Sequence, residues 1–317
     1  MFYWKKLGNV FNPVAIRPRK WMQEYAQCPT PVLLDDKVVR VFIACRPTRE
    51  ESLQYVSYPG FVDLAREDIT RIIGISEKPL LELGRPGAFD EFGIMPSSFI
   101  SNEGKSFVFY SGWTRMASVP YTLAIGVATS NNGAEEFHKL GDGPMLGISR
   151  SDPYFVTGPI VRKVTDTWRM WYLTCIRWVT DREKCEPIYR ITSAKSVDGI
   201  RWKPEERQLV VPHSEHECQD ILAPFYWGDR WHAIFAWRDA IGGDGKYRFG
   251  YASSIDLENW QRDDARAGLG LSATGWDSQM MCYPQVLDVD GRLLMFYCGN
   301  DFGKEGFGIA EMTDFKQ

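Results

Sequence analysis

Acidic and aromatic residues gather just ahead of five prolines in this 317-residue chain. Glu24 and Gln27 precede Pro31, Asp90 and Glu91 precede Pro96, and Asp152 and Tyr154 precede Pro159. Glu217, Gln219 and Asp220 precede Pro224, and Asp277, Ser278 and Tyr283 precede Pro284. A second set ends five strand-like runs: Arg46; Trp113 and Arg115; Arg177 and Trp178; Arg238 and Asp239; Asn300 and Asp301. Two carboxylates facing one substrate can divide acid and base roles. Arginine grips hydroxyls, carboxylates and phosphates, and tryptophan stacks on the apolar face of a sugar ring. The chemistry is that of a carbohydrate or sugar-phosphate ligand. A single Asp before a strand is more often a turn residue, so the reading depends on a fold that brings both sets together.

The spacing predicts such a fold. The five prolines recur at intervals of 60–65 residues. The chain ends, residues 1–30 and 285–317, together make one more interval. A closed ring needs this, because the last unit can take its missing strand from the N-terminus and leave no open sheet edge. The second strand of each unit is read at residues 38–46, 106–113, 168–175, 231–239 and 292–300, after turn signals such as Glu103-Gly104 and Asp290-Gly291. A third strand follows at residues 53–64, 122–130, 189–196, 247–254 and 307–312. Phe137, Trp202 and Trp260 mark a fourth. The chain is therefore expected to be all-β: one five-bladed β-propeller over residues 1–317, with four-stranded antiparallel blades closed by both termini. Only residues 21–27 are expected to form a helical turn. Inner-strand starts and second-strand ends then share a rim, so the two residue sets converge on one funnel. A pair of β-sandwiches would not produce five equal intervals.

Composition excludes several classes. The net charge of -4 gives no nucleic-acid footprint. No run of about 18 apolar residues exists, so no membrane span is expected. Lys5 and Lys6 are not followed by an apolar core, which argues against a signal peptide and makes the cytoplasm the expected location. The seven cysteines show no CxxC and read as buried reduced thiols. The four histidines form no metal set; His232 reads as structural and His216 as a rim residue. Neither metal nor cofactor is expected.

The runs FDEFGIMPSSFI, WRMWYLTC, AKSVDGIRW, ASSIDLENW and GWDSQMMCYPQV resemble the five-bladed propeller glycosidases: arabinanases, β-xylosidases, invertases, levansucrases and β-mannoside phosphorylases. WKKLGNVFNP, GWTR and YCGNDFGKEGFG extend the resemblance over the whole chain, to bacterial glycosylase-like proteins. The resemblance implies a propeller that handles carbohydrate. In arabinanase-like enzymes an Asp directly precedes the proline in blades one and two, and a Glu lies two before it in blade three. Those acids serve as base, pKa-tuning residue and general acid. Here the positions hold Thr30, Met95 and Thr157. The Glu-Asp-Pro-Arg run of the mannoside phosphorylases is replaced by Ile94-Met95-Pro96-Ser97.

The expected activity is glycoside hydrolysis or glycosyl transfer by relocated acids. Asp90 and Glu91 are the first candidates, then Asp152, Glu217 and Asp220. Arg46, Trp113, Arg115, Arg177, Trp178, Arg238, Asp239, Asp277, Tyr283 and Asn300 are the expected substrate contacts. The alternatives are a sugar-binding propeller without catalysis and a scaffold that binds proteins on its rim.

Overall fold

A computed structural model describes residues 1–48, 55–134, 136–181 and 184–316. Strand β1 (Phe2–Phe11) opens the chain. The first blade is β2 (Glu24–Leu33), β3 (Val38–Arg46), β4 (Tyr58–Ala65) and β5 (Asp68–Ile75). The second is β6 (Gly93–Asn102), β7 (Lys105–Arg115), β8 (Tyr121–Ser130) and β9 (His138–Lys139). The third is β10 (Val156–Val164), β11 (Thr167–Asp181), β12 (Lys184–Ser196) and β13 (Lys203–Pro204). The fourth is β14 (Glu217–Trp227), β15 (Arg230–Asp239), β16 (Arg248–Ser254) and β17 (Gln261–Arg262). The fifth is β18 (Cys282–Val289), β19 (Arg292–Cys298) and β20 (Phe307–Phe315), completed by β1.

Every blade is an antiparallel meander. Strand β1 pairs with β20, Phe2 opposite Phe315 and Phe11 opposite Phe307, so the N-terminus supplies the last blade's outermost strand. The inner strands β2, β6, β10, β14 and β18 touch their neighbours around a closed ring. This is the five-bladed propeller that the proline spacing predicts.

Local chemistry explains the repeat. Asp290 (φ 57) and Gly291 (φ 80) both take positive φ, as a two-residue type I′ hairpin turn requires. After the third strands, Ser196 Oγ accepts from the Asp198 and Gly199 amides, and Ser254 Oγ accepts from Asp256 and Leu257. Asp198 Oδ1 then accepts from Ile200 and Arg201, and Asp256 Oδ1 from Glu258 and Asn259. These Ser and Asp residues fix a compact turn. Phe137, Trp202 and Trp260 come immediately before the two-residue outer strands and pack into the inter-blade cores.

Three details differ from the sequence expectation. Residues 21–27 form no helical turn; an Arg19–Met22 bridge leads directly into β2. Among the described residues the helical turns are Pro13–Ile16, where Asn12 caps a proline-led start, the 3-10 turn Asp264–Ala267, and Asn300–Gly303, whose Asp301 and Phe302 take left-handed φ. The β11–β12 hairpin runs past Cys175 to Asp181 and Lys184. The expected first copy of the third strand begins at Leu53, and Leu53 and Gln54 lie outside the described residues. Among the described residues no helix is long and apolar enough to cross a membrane.

Candidate functional site

Each inner strand carries a β-bulge at the same level. The pairing register shifts between residues 27 and 30, 96 and 98, 157 and 160, 220 and 223, and 282 and 285. A bulge re-aims side chains and breaks the ladder, and here five of them ring the axis. Cys28 and Tyr283 take φ 54 there, a left-handed backbone that side chains disfavour. Below this level Gln285 Nε2 of the fifth blade donates to Ser97 O of the second at 3.0 Å. Those blades are not neighbours, so this bond crosses the axis and the channel is filled there.

On the rim side of the bulges lies a cluster drawn from all five blades. Asp220, 4% exposed, sits on the inner strand of blade four. Burial pushes its carboxyl up to about 7, against the opposing effect of the Ile221 and Tyr283 amides and of Arg238. Tyr283 of blade five donates its amide to Asp220 Oδ2 at 3.4 Å. Arg238, also buried, pairs with Glu186 Oε2 at 2.6 Å, on the extended hairpin of blade three. Its guanidinium carbon lies 5.4 Å from the centre of the Tyr247 ring. The Tyr189 and Tyr247 hydroxyls are 2.7 Å apart. Blade two contributes Met95, Trp113 and Tyr121, which pack with Phe155, Trp178 and Tyr189. Blade one contributes Arg46, between the Tyr25 and Tyr55 rings at 4.5 and 4.7 Å and bonded to Gln27 and Ser57. Burial pushes the Tyr25 phenol up to about 12, and drives the Cys28, Cys282 and Cys298 thiols well above their ordinary range. These phenols and thiols are neutral at pH 7, so the ionisable carboxyls and guanidiniums set the electrostatics of the cluster.

Of the residues singled out in the sequence, the structure gathers Asp220, Arg238, Tyr283, Arg46, Trp113 and Trp178 in this cluster. The other acids lie elsewhere. Asp90 accepts from the Tyr110 hydroxyl at 3.2 Å and pairs with Lys139 at 2.6 Å, inside blade two. Asp152 accepts from Tyr172 at 3.4 Å inside blade three, and Asp277 accepts from Tyr297 at 2.9 Å and Lys6 at 2.6 Å inside blade five. Each of these aspartates precedes its tyrosine by 20 residues. Glu217 is fully buried against Arg262 at 2.8 Å. These four acids tie lead-in loops to strands within their own blades. Glu91 accepts from the Gly87 amide in its own loop.

Arg115 donates to Tyr55 O, Arg177 pairs with Glu215, Asp239 accepts from Ser214, and Asn300 caps the Gln279 and Met280 amides. His232 is buried between Tyr251 and Trp227 O. Thr30 is bonded to Cys28 O and Pro96 O, and Thr157 to Ser111. Among the described residues no group of three or more His, Cys, Asp or Glu could hold a metal ion.

Glu186, Tyr189, Tyr247 and Tyr121 are the residues that sequence reasoning missed. The start of each third strand lies beside the end of the second, so it shares the same rim. The Tyr-Arg pairs at 189–190 and 247–248 and the Glu186-Pro187 pair were visible signals.

No family model matches the chain. It is 30% identical over 311 residues to "Uncharacterized protein Rv1502" of Mycobacterium tuberculosis, covering 98% of this chain and 99% of that one. A solved "Glycoside hydrolase" superposes with a TM-score of 0.74 at 19% identity, covering 98% of this chain and 92% of that one. The β-1,2-mannobiose phosphorylase of Listeria innocua superposes with a TM-score of 0.70 at 11% identity, covering 98% and 96%. The chain belongs to the family of Rv1502, on the five-bladed propeller fold that it shares with these glycoside hydrolase and phosphorylase structures.

Proposed function

We propose that this protein is a glycoside hydrolase or glycosyl-transferring enzyme whose site is the axial cluster around Asp220. One observation carries the reading: a carboxyl buried at the axis, with a pKa of about 7, faces an arginine that is itself ion-paired to a second carboxylate. A group poised near neutral pH is suited to proton transfer. In this reading Asp220 gives a proton to the leaving oxygen, and Glu186 acts as base or nucleophile. Burial keeps the Asp220 proton near neutral pH, and Arg238 holds Glu186 in place by their ion pair. Trp113 and Trp178 offer stacking faces, and Arg46 a hydroxyl, carboxylate or phosphate contact. The likeness to the glycoside hydrolase and phosphorylase structures supports a sugar as ligand. Seven free cysteines, six of them buried, suit a reducing cytoplasm.

The second reading, sugar binding without turnover, draws on Thr30, Met95 and Thr157. None of these side chains carries a carboxyl where the resemblance expects acids. A screen of aryl glycosides, sugar phosphates and nucleotide sugars separates the two. Turnover that disappears in Asp220→Asn and Glu186→Gln supports the enzyme. Binding that survives both substitutions, with no turnover on any substrate, leaves the binding module.

A further inference from the structure

Three blades solve one electrostatic problem in the same way. In blades two, four and five, an acid just before or at the start of the inner strand meets a cation from the outermost strand. Lys139, Arg262 and Lys6 stand opposite Ala128, Ala252 and Ala310 of the third strand. They reach Asp90 at 2.6 Å, Glu217 at 2.8 Å and Asp277 at 2.6 Å. Blade three keeps the buried acid, Asp152 at 2% exposure, and the equivalent alanine, Ala194. The residue opposite Ala194 is Pro204, which carries no charge. The Asp152 carboxyl accepts only from the Tyr172 and Ser149 hydroxyls, its amide donates to Ser149 Oγ, and among the described residues no cation lies within ion-pair distance.

A cavity of about 310 Å³ occupies the vacated place, lined by Asp152, Tyr172, Thr174, Arg190, Pro204 and Glu206 among others. The Thr174 hydroxyl oxygen is buried there with no hydrogen-bond partner. The two arginines at its wall are already engaged: Arg190 by the carbonyls of Glu217, Ser214 and Glu215, and Arg207 by Glu258 and Glu205. Glu206 has only a loose pairing with the exposed Arg150 at 3.7 Å. Among the described residues no cation pairs with Asp152 itself, and a buried carboxylate without a cation is costly. The volume lies in the range of small-ligand pockets.

We propose that this cavity binds a small polyhydroxylated molecule carrying a primary ammonium, as an amino sugar does. The ammonium takes the place on Asp152 that lysine Nζ takes on Asp90 and Asp277. Hydroxyls of the ligand satisfy Thr174 and Glu206. The site is separate from the axial cluster, and its occupancy does not depend on catalysis there.

Isothermal titration of the full chain with glucosamine, with glucose as the uncharged control, tests the proposal. Glucosamine is expected to bind at least tenfold more tightly than glucose. Pro204→Lys brings its own ammonium to Asp152 and is expected to weaken glucosamine at least tenfold while raising Tm. Asp152→Asn is expected to abolish the preference for the charged sugar. Should Asp152→Asn fail to fold, Pro204→Lys and the wild-type comparison decide. Equal affinity for the two sugars, no binding of glucosamine at millimolar concentration, or glucosamine binding that Pro204→Lys leaves intact overturns the proposal.

Discussion

Asp220 and Tyr283 meet across the joint between the fourth and fifth blades, the Tyr283 amide donating to Asp220 Oδ2 at 3.4 Å. Both residues stand at bulges of inner strands. The bond therefore couples the most perturbed carboxyl of the cluster to a strained backbone, and this coupling has consequences in pH and in kinetics.

The first consequence concerns pH. The Asp220 carboxyl titrates near 7 in the folded chain against 3.8 for an ordinary Asp. A raised pKa means that the folded state holds a proton that the unfolded chain releases between those values. Stability should therefore fall as pH rises from about 4 to about 7, by up to roughly 4 kcal/mol at this site. Asp220→Asn, which stays neutral, should be more stable than the parent above pH 7 and should lose that part of the pH dependence. Denaturant unfolding at pH 5 and pH 8 measures both effects. If Asp220 is the proton donor, the turnover of the parent should also decline as pH rises through about 7.

A second prediction separates Arg238 from a general structural role. Its side chain pairs with Glu186 and acts on Asp220. Arg238→Lys keeps the charge but loses the planar fork. It should lower kcat by one to two orders of magnitude, with a smaller change in KM. Glu186→Gln should cost on the order of 10²–10⁴-fold in kcat, the usual contribution of a positioned acid or base. A Glu186→Gln enzyme with parental kcat would remove Glu186 from the chemistry.

The ring was legible because its signals are local and repeated. Asp290-Gly291 sets a turn type, and Ser196-x-Asp198 and Ser254-x-Asp256 cap the third strands in the same way. The site was legible only in part. Asp90, Asp152 and Asp277 occupy the expected stretch of sequence, yet the tyrosine 20 residues later draws each one into its blade. That distinction needs side-chain direction, which spacing around a proline does not encode. Glu186 was hidden for a different reason: it lies beyond Cys175, on a hairpin whose extra length the repeat pattern does not predict.

The intra-blade acids lead to a third prediction. Removing the Asp277 charge leaves the Lys6 ammonium without its counter-ion. Asp277→Asn should destabilise the fold by about 3–5 kcal/mol, as breaking a buried pair does. Tyr297→Phe should cost about 1–3 kcal/mol. Neither should change KM in the surviving folded fraction. Urea unfolding followed by tryptophan fluorescence gives the stabilities, and a change in KM without a loss of stability would place Asp277 at the substrate.

Thiol chemistry gives a fourth. Burial pushes Cys175 up to about 12 and Cys218 to about 11, with the other buried thiols also raised. Only Cys185 is not buried. A native sample at pH 8 should show one fast-reacting thiol with an aromatic disulfide reagent and the remaining six only after unfolding. Cys185→Ser should abolish the fast phase.

The last prediction tests closure of the ring. Strand β1 covers the outer edge of blade five and places Phe2 against Phe225, His232 and Tyr251 of blade four. It also carries Lys6, the only ion-pair partner of Asp277 among the described residues. Deleting residues 1–11 therefore removes an edge strand, an inter-blade aromatic contact and a buried charge pair together. The truncated chain should be aggregation-prone, since β20 then presents an open edge. A synthetic peptide of residues 1–11 added in trans should restore part of the lost stability by binding that edge. Thermal melts with and without the peptide read this directly. A truncated chain that melts like the parent would show that β1 is not what closes the ring.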